Sequence, residues 1–133
     1  MACRITQLLI DCADPRRLGD FWCEVLGYVE LGWEDGALEI GPPDTGFGGP
    51  QPTLMFLPHP EPKRTKLRLH FDLNPTDRDQ DTELQRLLAA GARPVDIGQG
   101  PDVSWHVLAD PEGNEFCLLR RRVEAVRSAS GAQ

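Results

Sequence analysis

No apolar stretch in this chain approaches the ~20 residues that a membrane-spanning helix requires, and no basic segment leads into an apolar run at the N-terminus, so neither a membrane anchor nor a secretory signal is expected. Basic residues are in deficit. Fourteen Lys and Arg stand against 21 Asp and Glu, a formal charge of −7 that argues against nucleic acid or an anionic membrane as partner. Cysteine is scarce and scattered: Cys3, Cys12, Cys23 and Cys117 lie 9, 11 and 94 positions apart, with no CxxC pair for a zinc knuckle or a thioredoxin-like centre. Four such cysteines in a chain without an export signal read as reduced thiols, and a cytoplasmic location is expected. What the chain does have is an ordinary globular composition, 40% hydrophobic and 26% charged over 133 residues. That is enough for one domain that builds its own core without staples.

The opening run from Ile5 to Cys12 is apolar apart from Gln7 and Asp11, and it stops at Ala13-Asp14-Pro15, which predicts a buried strand. Asp14 is placed as a helix N-cap with Pro15 in the first turn. Leu18, Phe21, Trp22, Val25 and Leu26 then form one apolar stripe, and Gly27 ends the helix in the left-handed conformation. Tyr28 to Trp33 and Ala37 to Ile40 read as a hairpin about Glu34-Asp35-Gly36. Gly41 to Pro52 is a long loop rich in glycine and proline, with Phe47 set among its glycines, and Thr53 to Leu57 is the next strand.

The second half repeats this order. Lys66 to Leu73 alternates Leu67, Leu69, Phe71 and Leu73 with polar residues, as a half-buried strand does. Asp77 to Ala90 is a helix stopped by Gly91, followed by strands over Arg93 to Ile97, Val103 to Ala109 and Glu115 to Arg121. The turn before the last strand is Asp110-Pro111-Glu112-Gly113-Asn114. Gln7 and Asp14 lie 63 positions before His70 and Asp77, and Gly27 lies 64 before Gly91. The chain is therefore read as an α+β protein of two βαβββ modules, about 4–58 and 66–121, in a single domain spanning 1–122, with a disordered tail over 123–133.

Three motifs carry a resemblance to the glyoxalase-like branch of the vicinal oxygen chelate superfamily. They are Asp11-Cys12-Ala13-Asp14-Pro15 leading to Phe21-Trp22 and Leu26-Gly27, then Leu69-His70-Phe71-Asp72-Leu73, and finally Trp105 through Cys117 around the Asp-Pro-Glu-Gly-Asn turn. The resemblance implies that each module curls a mixed sheet into half of a cup, that the two halves enclose a small-molecule site, and that related chains pair as homodimers. It also implies that four side chains, one from the first and one from the last strand of each half, hold a divalent metal that chelates vicinal substrate oxygens.

Carried over position by position, these are Gln7, then Met55 or Leu57, then His70 and Cys117. Two carboxylates of the usual set are missing, so a divalent metal is allowed but not favoured. The candidates for holding one are Gln7, His70 and Cys117, with Glu115 as a substitute on the face of Cys117 and Asp72 in the same relation to His70. Cys117 could serve zinc as a thiolate, though with one His and one amide it makes a poor octahedral site.

The expected function is a glyoxalase-like enzyme of lyase or isomerase type, with His70 as base or ligand and Gln7 orienting a substrate oxygen. The alternative is a protein that sequesters a small molecule or antibiotic without chemistry. Trp105, Phe47, Met55, Leu57 and Cys117 would line the pocket in either case. Against these stand plainer roles: His70 as a hydrogen-bonded strand histidine and Cys117 as a small buried thiol.

Overall fold

The computed structural model describes residues 2–126. The chain divides into two compact units, one built on residues 1–62 and one on residues 63–125. Among the described residues, the first unit holds β1 (Gln7–Cys12), α1 (Pro15–Leu26), β2 (Val29–Glu34), β3 (Ala37–Gly41) and β4 (Thr53–Pro58). The second holds β5 (Asp72–Leu73), α2 (Gln80–Ala90), β6 (Arg93–Pro94), β7 (His106–Ala109) and β8 (Glu115–Leu118). Each unit carries a four-stranded mixed sheet of the same connectivity, β1-β4-β3-β2 and β5-β8-β7-β6. The first strand pairs in parallel with the last, and the remaining pairs are antiparallel. This is the α+β, twice-βαβββ fold that the sequence pattern predicts.

Helix α1 forms where its signals place it. The Asp14 carboxylate accepts from the Arg17 amide at 3.1 Å, and Gly27 closes the helix at φ 69°. Leu18, Phe21 and Trp22 are almost wholly buried, with the two aromatic rings edge to face at 5.3 Å. Each such side chain stabilises the unit by roughly 1.5–3 kcal/mol through the apolar surface it removes from water. Gly19 lets α1 lie close on the sheet: a methyl group there would collide with Leu38 Cδ2 while touching Phe56. Gly19→Ala is expected to lower stability in urea titration. Overpacking costs roughly 1–3 kcal/mol, which outweighs the ~1 kcal/mol that alanine returns in helix propensity.

The second unit has shorter strands than the alternation of its sequence predicts. Strand β5 covers Asp72–Leu73 rather than the whole of Lys66 to Leu73, and Leu69 is 71% exposed. In the register of β5 on β8 the positions that would face residues 66–69 are 111–114, which form the turn before β8, so that part of the segment has no strand to pair with. Helix α2 starts later than Asp77, because the Asp79 carboxylate caps the Thr82 amide at 2.8 Å while Asp77 pairs with Arg78. The turn joining β7 to β8 is built on Asp110, which is fully buried. Its Oδ1 accepts from the Glu112 and Asn114 amides at 2.9 and 3.0 Å, and its Oδ2 accepts from Asn114 Nδ2 at 2.9 Å. Of the tail expected from Val123, residues 127–133 lie outside the described residues, and Val123 itself donates to the Pro75 carbonyl at 3.0 Å.

Candidate functional site

In the first unit Leu38 and Phe56 lie under α1, so strand alternation sends Glu39, Thr53, Met55 and Leu57 to the opposite face. The parallel register sets Gln7 beside Thr53, Leu9 beside Met55 and Asp11 beside Leu57. Gln7 does not stand alone there. Its Nε2 donates to Glu39 Oε2 at 2.8 Å and to Thr53 Oγ1 at 3.3 Å, and the Thr53 hydroxyl donates to the same Glu39 oxygen at 2.8 Å. Glu39 is the site residue that the sequence reading missed. The signal was a charged residue between Leu38 and Ile40 in a strand otherwise fit for burial, since a half-buried carboxylate needs donors.

In the second unit Asp72 and Cys117 are direct partners across the parallel β5–β8 pair. The bonds from Cys117 N to Phe71 O at 2.9 Å and from Leu119 N to Leu73 O at 2.7 Å fix their register. His70, two residues before Asp72, joins them: a nitrogen of His70, a carboxylate oxygen of Asp72 and the Cys117 sulfur all lie within 4.8 Å of one another. His70 Nδ1 is buried and makes no hydrogen bond. Burial pushes the Cys117 thiol up from its ordinary value, and the adjacent Asp72 carboxylate adds to the shift by charge and hydrogen bonding. The free thiol is therefore a proton holder rather than a nucleophile at neutral pH.

The register also decides between Met55 and Leu57. Met55 stands opposite Leu9 as Cys117 stands opposite Asp72, so Met55 is the counterpart of Cys117. The neighbouring antiparallel partner is Glu39 for Met55 and Val107 for Cys117. The carboxylate thus moves from the third strand of one unit to the first strand of the other.

Glu115 is engaged elsewhere. Its Oε2 lies 2.7 Å from Lys63 Nζ, and its Oε1 accepts from the Leu67 amide at 2.9 Å. Burial raises its pKa, but the Lys63 ammonium and the Leu67 amide together outweigh that and hold the carboxyl below its ordinary value. A folded-state pKa below the unfolded one means that this ion pair stabilises fully above the unfolded value and is lost as pH falls through the folded value. Lys63→Met is expected to shift the acid-unfolding midpoint to higher pH, read by circular dichroism across an acid titration.

Phe47 (59% exposed) sits on the 42–52 loop, which Arg4 ties down through the Gly48 and Gly49 carbonyls at 3.0 and 2.5 Å. Trp105 (37% exposed) lies just before β7 rather than within it.

The family model of the glyoxalase-like domain matches residues 7–119. No curated protein matches the chain in sequence. Among solved structures, a glyoxalase/bleomycin resistance protein/dioxygenase family enzyme from Burkholderia phytofirmans PsJN superposes with a TM-score of 0.61 at 19% identity, covering 87% of this chain and 97% of its own. The fosfomycin resistance protein FosX of Mesorhizobium loti gives 0.62 at 14% identity, over 90% of this chain and 92% of its own. FosX of Listeria monocytogenes, solved with Mn(II) and sulfate, gives 0.67 at 12% identity, over 90% and 91%. At these identities the likeness is one of fold, and with the domain match spanning both βαβββ units, the chain belongs to the glyoxalase-like domain family.

Proposed function

We propose that the protein is a glyoxalase-like enzyme acting on a small oxygenated molecule, with His70 at its chemical centre. The observation that carries this reading is the gathering of a His70 ring nitrogen with the Asp72 carboxylate and the Cys117 sulfur, on a histidine whose buried Nδ1 makes no hydrogen bond. A buried polar atom left without a partner costs about 1–3 kcal/mol, a cost explained if the atom is reserved for an incoming proton, substrate or cation. Asp72 lies in the same cluster, placed to orient the imidazole when His70 acts as the base.

The donor set fits a divalent cation as well, with His70, Asp72 and Cys117 as the residues that would hold it. Such a cation, when bound, would polarise a substrate oxygen as a Lewis acid. Gln7 spends both Nε2 protons on Glu39 and Thr53, so what it can offer an incoming molecule is its carbonyl oxygen, an acceptor suited to a substrate hydroxyl. Phe47 and Trp105 are proposed as apolar contacts to the ligand.

A second reading, sequestration without chemistry, is favoured by the apolar side chains around Gln7. Leu9, Met55 and Leu57 share its face, and Leu9 is 58% exposed.

The purified protein, loaded in turn with zinc, manganese, nickel and iron, should be incubated with an epoxide such as fosfomycin and with a hemithioacetal, and followed by NMR. Turnover of either supports the enzyme. Saturable binding with no chemical change supports sequestration, and neither result with any substrate offered defeats both. The family likeness further supports a homodimer, which light scattering at twice the chain mass would establish, and the four free cysteines support a cytoplasmic location.

A further inference from the structure

We propose that the second unit binds a thiophilic divalent cation, zinc above all, through the Cys117 thiolate, the Asp72 carboxylate and the His70 imidazole, and that Cys117 excludes hard cations such as manganese. This rests on the reading of the His70 cluster as the place where a cation goes, and adds which cation and by which bond.

Three features support it. The ligand atoms lie at most 4.8 Å apart, whereas ligands on a tetrahedral zinc stand about 3.5 Å from one another. Side-chain rotation covers that difference. The backbones of two of the ligands are fixed, because Asp72 and Cys117 are register partners held by backbone bonds on either side. The third, His70, brings one ring nitrogen into the cluster, and its buried Nδ1 makes no hydrogen bond.

The set is one nitrogen, one oxygen and one sulfur, which suits a borderline cation in a tetrahedral site with one position left for water or substrate. A manganese ion prefers an oxygen-rich octahedral shell. The nearest way to supply one from the same strand would be Glu115, whose two oxygens are taken by Lys63 and the Leu67 amide. Binding forms a metal–sulfur bond and breaks the Cys117 S–H bond, and the proton leaves to the buffer. No electron transfer is involved.

The test uses the full chain stripped of metal and titrated with Co2+ alone. A sulfur-to-cobalt charge-transfer band with the intense visible absorption of four-coordinate cobalt is expected, discharged on adding Zn2+. Equilibrium dialysis should show zinc held at least about 100-fold more tightly than manganese. Cys117→Ser should abolish the charge-transfer band and most of the preference for zinc, and Asp72→Asn should weaken binding with the band retained. A Cys3→Ser, Cys23→Ser double variant should leave both unchanged. Because Cys117→Ser could perturb a buried position, its circular dichroism is compared with that of the parent, and the intact chain's cobalt spectrum stands as the second measurement. Cobalt binding without the sulfur band, or manganese bound as tightly as zinc, overturns the inference and leaves the broader metal reading intact. If no cation binds at all, both fall.

Discussion

The His70→Ala protein is expected to turn over its substrate about 10²–10⁴-fold more slowly than the parent, the loss typical of removing a positioned acid–base group. The deficit should fall in kcat rather than KM if the imidazole moves a proton in the transition state, and in both if it also holds the ground state. Added imidazole should restore part of the rate in the alanine variant. A histidine that only packs would behave otherwise, with stability changed and kcat/KM kept. The half-buried environment and the orphaned Nδ1 argue for the first outcome, since a purely structural histidine would be expected to have found a partner.

Asp110→Ala is expected to have the largest effect on stability. It removes a carboxylate with no solvent exposure that accepts three hydrogen bonds, leaving the Glu112 and Asn114 amides without their acceptor. Hydrogen bonds to a charged group contribute about 1.5–3 kcal/mol each and are not additive here, so a total loss of about 3 kcal/mol is expected. That corresponds to a fall of about 10 °C in Tm for a domain of this size. Asp110→Asn keeps one acceptor and should lose roughly half as much. Thermal and urea unfolding measure both, and a change below ~0.5 kcal/mol would show that the turn holds without its carboxylate. Because the turn feeds directly into β8, the same variant should also loosen Cys117.

Legibility in the sequence followed how local each determinant is. Helix α1 could be read to its ends because Asp14, Pro15 and Gly27 act within a few residues of themselves. The duplicated order of elements was legible because Gln7, Asp14 and Gly27 recur at a near-constant offset as His70, Asp77 and Gly91. The extent of β5 was not. Its alternation from Leu67 to Leu73 suggested a full strand, yet strand length depends on where a partner is present, and the residues that would face 66–69 belong to the turn before β8.

The start of α2, read at Asp77, lies two residues further on. Thr82 N falls within reach of Asp79, and the helix begins there.

The candidate site divided the same way. His70, Cys117 and Gln7 stood out because their spacing matched a known pattern, and Asp72 could be set beside His70 by alternation. Glu39 escaped because its link to Gln7 and Thr53 runs through the pairing of three strands, and Glu115 could not be assigned to Lys63 from 52 positions away in sequence. The choice between Met55 and Leu57 likewise needed the register of β1 on β4.

The parallel pairing of the first strand with the last has a consequence for how the protein is made. Thr53 is 46 positions after its partner Gln7, so β1 leaves the ribosome with no neighbour to join. At about 5–20 residues per second, the apolar run Leu8-Leu9-Ile10 waits some seconds for β4 to be synthesised, and β5 waits again for β8. Nascent chains of this family member are thus at their most aggregation-prone just before each half is completed, the interval in which a chaperone would matter most.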